Sequence, residues 1–145
     1  MHRKTFFAAA AIFAIVPAAL SAAPAGWIAA KSHEGKCQAY VPAGWKPGFA
    51  GIGMESPGSK STLLVSKKDS TVAAEKAALP GVFTITKTYE DSASRYWIEY
   101  KEAGSKHHWY IVTPAASGIC TAVFDFDSSL SEADAKMVAT SLGKY

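Results

Sequence analysis

The segment RYWIEYKEAGSKHHWYIVT, residues 95–113, contains two runs in which apolar and polar side chains alternate. Alternation with a period of two is typical of strands that bury one face. Gly104-Ser105 lies between the runs, and glycine at the first central position favours a two-residue hairpin turn. That turn would place Tyr100 opposite Trp109. The segment therefore predicts an antiparallel β-hairpin.

The predicted register divides the hairpin side chains between two faces. One face combines large aromatic rings with charges, and we predict it as a partner-binding surface: Trp97, Glu99, Lys101, His108 and Tyr110. Protein interfaces use such rings because they bury much area at low entropic cost, while the charges fix orientation. The alternative is structural: a helix covers Trp97, and the charged side chains form the rim of that contact.

Similar patterns extend outward from the hairpin in both directions. Further strands are predicted near residues 36–41, 52–55, 61–67, 82–89 and 119–126. A short helix is predicted over 70–79, before Pro80-Gly81, and a C-terminal helix is predicted to follow Asp127 with a capping box formed by Ser129 and Glu132. The expected fold class is α+β: an antiparallel sheet with a short inner helix and a C-terminal helix packed on it.

The N-terminal 25 residues have the pattern of a secretory signal. Basic residues precede an apolar run over 6–20, and small residues follow over 21–25. The apolar run is too short to span a bilayer, so no stable membrane insertion is expected after cleavage. The sequence predicts a signal peptide over 1–25 and a single α+β domain over 26–145, exported to the bacterial periplasm.

Charge argues against nucleic acid as a partner. Removing the leader takes away Arg3 and Lys4, which leaves 13 basic and 12 acidic residues and a net charge of +1. A nearly neutral chain with scattered lysines lacks the basic stripe that attracts phosphates.

Two cysteines, Cys37 and Cys120, remain in the predicted mature chain. In an oxidising compartment such a pair forms a disulfide more often than it stays free, and two thiolates alone do not complete a zinc site. We predict a Cys37–Cys120 disulfide, with two free buried thiols as the alternative. The bond would hold the first strand of the domain beside the last long one.

Motifs for metal or nucleophilic chemistry are absent from the sequence. His107 and His108 would point to opposite faces of a strand, and no H-E-x-x-H, C-x-x-C or G-x-S-x-G pattern occurs. No metal or cofactor is expected. Asp125 and Asp127 could share one sheet face and, with His108, serve a hydrolase, but carboxylates at a strand end more often solvate a turn or cap a helix. The expectation is a protein that is not an enzyme.

The chain resembles the Mog1/PsbP-like family of small domains. The resemblance rests on Val41-Pro42-Ala43-Gly44-Trp45, which is similar to the strand-ending P-x-G-W turn of that family, and on a closing strand and helix that end at Ser141-Leu142. It implies an α+β fold. Members include Ran-binding factors, photosystem extrinsic subunits, exported bacterial proteins and immunity proteins of type VI secretion, so the resemblance implies no single activity.

Two functions remain open from the sequence. The first is an exported, non-enzymatic protein-binding module. An immunity or inhibitor protein that blocks a toxic enzyme is one such module, and it would fit the small size, the predicted export and the lack of catalytic motifs. The alternative is a small-molecule binding or accessory periplasmic protein. Its pocket would lie between sheet and helix, with Trp45 and Trp109 as walls.

Overall fold

A computed structural model describes residues 23–144 of the protein, so most of the predicted signal peptide lies outside the described residues. These residues form ten strands and two α-helices. The strands are β1 Ile28–Lys31, β2 Cys37–Val41, β3 Lys46–Pro47, β4 Met54–Glu55, β5 Thr62–Lys68, β6 Ile85–Asp91, β7 Tyr96–Tyr100, β8 His107–Pro114, β9 Ile119–Phe126 and β10 Gly143–Lys144. The helices are α1 Val72–Ala78 and α2 Glu132–Thr140.

Within the described part of the chain the strands form two antiparallel sheets. The large sheet has seven strands in the order β3-β4-β5-β9-β8-β7-β6, and the small sheet has three in the order β1-β2-β10. The predicted α+β class with an antiparallel sheet is confirmed. The second sheet was not predicted: the sequence indicated β2 but neither β1, which pairs with it locally, nor β10, which pairs with it from more than a hundred residues later.

One face of the large sheet packs against the small sheet and α2. Strand β9 supplies Cys120, Ala122, Phe124 and Phe126 to this face, all buried as their alternation predicts. Trp45, which follows the turn at the end of β2, is buried against the same cluster and contacts Phe124 with ring centroids 6.4 Å apart. This layer is the larger of the two cores.

Helix α2 contributes Ala135, Val138 and Ala139 to the apolar stripe that the spacing predicts. Leu142 follows the end of the helix at Thr140, and all four residues are buried. The predicted capping box is wrong. Ser131 is the N-cap and accepts a hydrogen bond from the backbone N–H of Asp134 at 3.1 Å. Ser129 lies in the preceding turn, where its N–H donates to the Asp127 carboxylate at 2.9 Å. The helix therefore begins later than the Ser129 pattern indicated.

The disulfide between Cys37 and Cys120 is confirmed. The two Cα atoms are 5.6 Å apart across a sequence separation of 83 residues, and both side chains are fully buried. Because Cys37 belongs to β2 and Cys120 to β9, the bond joins the small sheet to the large one. It lies inside the larger core.

The hairpin register differs from the prediction by one residue. Glu99, not Tyr100, lies opposite Trp109, and Trp97 lies opposite Ile111. The cause is the connection: β7 and β8 are joined by the loop 101–106 and not by a two-residue turn at Gly104-Ser105. The shift moves every β7 side chain relative to β8, so the predicted division into two faces is wrong.

Helix α1 covers the opposite face of the large sheet. Thr71 caps it, accepting from the N–H of Ala74 at 3.1 Å. The Tyr110 hydroxyl donates to Glu75 at 2.6 Å, and Lys68 donates to both Tyr110 and Glu75, at 2.9 and 2.8 Å. Tyr110 is buried, so this network fastens α1 to β8 and β5.

The Glu75 network makes stability depend on pH. Burial opposes the charge of Glu75, but hydrogen bonds from Lys68 and Tyr110 outweigh it and hold the pKa of that carboxyl below its usual value. A depressed folded-state pKa means that ionised Glu75 stabilises the fold at neutral pH, and that this contribution is lost as the pH falls below the usual glutamate pKa of 4.5.

Glu75→Gln is therefore expected to be less stable than the wild type at pH 7, with the difference narrowing at pH 3. Urea unfolding of both proteins at pH 7 and at pH 3 measures the difference in their free energies of unfolding. A stability difference that is the same at pH 7 and pH 3 would contradict the expectation.

Candidate functional site

A cleft of about 640 Å³ opens between the large sheet and the start of α2. Its walls come from β6, β7, β8 and the turn before α2, and include Lys87, Tyr89, Glu99, His107, Trp109 and Glu132. We call it the Glu99 cleft. Its volume exceeds that of the pocket beside Trp45, about 370 Å³, and that of the groove beside Ile52, about 270 Å³.

The carboxylate of Glu99 is held by three neighbours from two strands. Its Oε2 accepts from Trp109 Nε1 at 2.7 Å, lies 2.9 Å from His107 Nδ1, and accepts from the Tyr89 hydroxyl at 3.5 Å. Tyr89 is on β6, and the other two are on β8. Strand positions fix a side chain more firmly than loop positions do, so the carboxylate is preorganised in the cleft.

Packed aromatic rings form the floor of the cleft. Trp109 is almost completely buried, with its ring centroid 4.5 Å from that of Phe126 and 4.9 Å from that of Tyr89. The His107 ring stacks on Phe126 at 4.9 Å. Lys87 Nζ lies 4.4 Å above the Tyr89 ring, a cation–π contact. The rim is exposed and charged, while the floor consists of buried aromatic rings that hold the Glu99 carboxylate.

Charges of both signs meet at the rim. Burial, followed by the nearby charge of Glu99, raises the pKa of Tyr89 above its usual value. A hydrogen bond and the charge of Lys136 lower the pKa of Glu132, with smaller contributions from Lys87 and His107. Glu132 is thus an anion at neutral pH, across the cleft from a lysine cation. Such a rim can bind complementary charges of a partner.

The five residues predicted as one partner-binding face are dispersed. Trp97 and Glu99 lie on the face that contains the cleft, whereas His108 and Tyr110 point to the face covered by α1. Lys101 is exposed in the loop after β7. Trp97, His108 and Tyr110 are buried. The predicted set therefore does not form a single exposed surface, because the register is shifted; of the five, Glu99 lines the cleft.

Of the three residues considered for hydrolysis, the structure brings two together and leaves Asp127 apart. His108 Nδ1 lies 2.7 Å from Asp125 Oδ1, beneath the ring of Tyr100 on the α1 side of the sheet. Asp127 lines the Glu99 cleft on the other side, and the hydroxyl and N–H of Ser129 lower its pKa. Asp127 stabilises the turn before α2, and the two carboxylates do not share a face.

Sequence analysis missed Lys87, Tyr89, His107 and Glu132 as members of a common site. The signal was present in the hairpin: with Glu99 opposite Trp109, the indole N–H meets the carboxylate. A one-residue error in register conceals this contact. The approach of β6 and α2 to the same cleft is set by tertiary packing, which local patterns do not encode.

Metal ligands and membrane spans were sought over residues 23–144. No group of three or more His, Cys, Asp or Glu side chains in this range is placed to hold a metal ion. No helix in the same range has the length and hydropathy needed to cross a bilayer.

The chain is similar in structure to cyanobacterial PsbP (CyanoP) from Synechocystis sp. PCC 6803, a solution structure. The TM-score is 0.50 at 13% sequence identity, and the match covers 83% of this chain and 94% of that one. No family model matches the sequence, and no curated protein matches it. At this identity the likeness shows the fold: the chain has the Mog1/PsbP-like α+β fold that the sequence indicated.

Proposed function

We propose that the chain is an exported, non-enzymatic accessory module that binds a protein partner at the Glu99 cleft. The observation that carries the proposal is the carboxylate of Glu99, held by Trp109, His107 and Tyr89 at the base of an open cleft. A carboxylate held in a fixed position is a typical anchor for a complementary charge on a partner. That charge offsets the free energy that desolvation of the carboxylate costs.

The layout of the cleft supports recognition of a protein. Protein interfaces combine an apolar centre with a polar rim. In the cleft, exposed Lys87, His107 and Glu132 surround the aromatic floor of Trp109 and Phe126. The disulfide supports export, since such bonds persist in oxidising compartments. Asp127 lies apart from the His108–Asp125 pair and accepts a hydrogen bond from Ser129, so the three residues of the hydrolase alternative do not converge in one cleft, which supports a non-enzymatic role.

Within this class, an immunity or inhibitor protein is the type that we propose. Such a protein needs a small, rigid, stable scaffold and a charged surface, because electrostatic complementarity accelerates association and excludes wrong partners. The buried disulfide supplies the rigidity and the rim of the Glu99 cleft supplies the charges. On this proposal the predicted signal peptide delivers the chain to the periplasm.

Charge reversal at the rim tests the proposal. The mature protein is used to capture partners from the cell envelope of its source, without reductant. Lys87→Glu is expected to reduce capture at least about tenfold, because one favourable charge becomes a repulsive one. Lys87 is exposed on the edge strand β6, so folding should be unaffected, and thermal unfolding verifies this.

Lys36→Glu is the matched control, since Lys36 is an equally exposed cation in the turn between β1 and β2. It makes the same change of charge away from the cleft. Equal capture by the wild type and both variants would overturn the cleft as the binding surface. Equal losses in both variants would show a dependence on net charge only.

A small-molecule ligand in the same cleft is the second candidate. The volume of about 640 Å³ favours it, because small-molecule sites span about 300–1,000 Å³. Of the two tryptophans predicted to line a ligand pocket, Trp109 lines this cleft. Trp45 lines a separate pocket, and Leu130 contributes to both. Native mass spectrometry of the protein purified from its source discriminates the two: a retained small molecule that Glu99→Gln releases would favour this candidate.

A further inference from the structure

A second surface lies far from the Glu99 cleft in the fold, on the loop that joins β3 to β4. At its tip the side chain of Phe49 is 92% exposed and that of Ile52 is 65% exposed. The ends of the loop are joined by a hydrogen bond from Gly48 N–H to the Gly53 carbonyl, at 3.1 Å. The loop thus projects two large apolar side chains into solvent from a closed base.

The backbone of this loop has a defined shape. Ala50 has a φ of 56°, in the left-handed region that costs free energy for an L-residue other than glycine. A Cβ atom at Gly48 would lie 2.4 Å from the Ile52 carbonyl oxygen, and one at Gly53 would lie 2.6 Å from that of Leu63. The glycines therefore permit close backbone contacts that hold the apolar tip outward.

A groove of about 270 Å³ lies beside this tip. Ile52, Gly53 and Leu64 line its apolar part, and Lys31 and Glu34 contribute one charge of each sign. Leu64 is 40% exposed. The volume is several times the ~30 Å³ that one water molecule occupies, which is room for an aromatic ring. An exposed knob and an open groove thus lie next to each other on one surface.

We propose that this surface binds a second copy of the chain, with Phe49 of each copy inserted in the groove of the other. A two-fold dimer brings the same patch of both copies together, so the patch must complement itself in shape and in charge. The exposed Phe49 side chain, which we call the knob, lies beside the groove, so the patch is complementary to itself in shape. Lys31 and Glu34 make it complementary in charge, because each can face its opposite on the partner copy.

The charges also distinguish a second copy from a lipid surface. Loops and helices that lie on membranes combine apolar side chains with a basic flank, which attracts anionic lipids. The flank here contains Glu34 beside Lys31, and Lys46 at the base of the loop is within 4.0 Å of Glu55. This balance of charge favours the self-complementary contact. The dimer leaves the Glu99 cleft open, so it is independent of the function proposed above.

Sedimentation velocity over an about 100-fold range of concentration tests the dimer, since a small interface gives weak, concentration-dependent association. The wild type is expected to shift from monomer to dimer across the range. Phe49→Ser removes the knob and Leu64→Arg obstructs the groove, and both variants are expected to remain monomeric. Val82→Ser is the control, since Val82 is 70% exposed after α1, outside the loop and its groove, and it is expected to dimerise like the wild type.

A wild type that stays monomeric throughout the range would overturn the proposal, and so would unchanged association of Phe49→Ser. Vesicles of phosphatidylcholine and phosphatidylglycerol provide a second measurement. Sedimentation of the wild type with these vesicles, lost in Phe49→Ser while the chain remains a monomer, would identify a lipid surface as the occupant and would also overturn the dimer. Circular dichroism and thermal unfolding verify that each variant is folded.

Discussion

Replacing both Cys37 and Cys120 by alanine is expected to lower the free energy of unfolding by roughly 4 kcal/mol. The disulfide closes a loop of 83 residues in sequence, and such a constraint restricts the unfolded chain more than the folded one. The bond also joins the small sheet to the large sheet. Without it, the small sheet is held to the rest of the domain by packing and by the hydrogen bond from Tyr40 N–H to Ser141 Oγ, at 2.8 Å. Urea unfolding followed by tryptophan fluorescence measures the loss.

The control is urea unfolding of the wild type, once with the disulfide intact and once with reductant present. The reduced wild type and the double variant are expected to have similar midpoints, and reductant should not affect the variant. A double variant with the midpoint of the oxidised wild type would show that the sheets are held together without the bond.

Trp109→Ala is expected to destabilise the fold by about 4 kcal/mol, which lies within the range for large aromatic residues in a core. Trp109 is 1% exposed and contacts Trp97, Phe124 and Phe126 with ring centroids 4.5–5.9 Å apart. Truncation leaves a cavity among these rings, and it removes the indole N–H that bonds to Glu99.

Trp109→Phe helps to separate the two effects, because it keeps an aromatic ring in the core, leaves a smaller cavity than alanine and removes the hydrogen bond to Glu99. Its cost is expected to be smaller than that of alanine but still measurable, since a partly buried carboxylate loses a donor. Met137→Ala is the control at an exposed position of α2, where changes stay within about 0.5 kcal/mol. Chemical denaturation measures the free energy of unfolding of the three variants. Equal values for Trp109→Ala and the wild type would contradict the packing of Trp109 in the core.

Two burial patterns that follow from local periodicity were predicted correctly. The alternation of Cys120 to Phe126 predicted which β9 side chains share the face of the larger core, and the spacing of Ala135 to Leu142 predicted the packed face of α2. Both signals depend only on the period of the strand or helix. The cysteine pair was predictable because the leader indicated an oxidising compartment.

Pairing between distant segments was not predictable in the same way. Strand β10 is two residues long and pairs with Cys37 and Gln38, about a hundred residues earlier in the chain. A segment this short has no readable period. The hairpin register depended on the shape of loop 101–106, and its glycine suggested a tighter turn than the one formed. That single shift decided which side chains meet Glu99, so the candidate site was only partly predicted.

Photo-crosslinking in the source cell tests most directly whether the Glu99 cleft binds a protein partner. A photoreactive phenylalanine analogue is placed at Ser105, an exposed residue on the wall of the cleft, and separately at Val82, which is exposed after α1. Our account predicts a crosslinked protein from position 105 and none from position 82. Crosslinks from Val82 alone, or of equal yield from both positions, would contradict it.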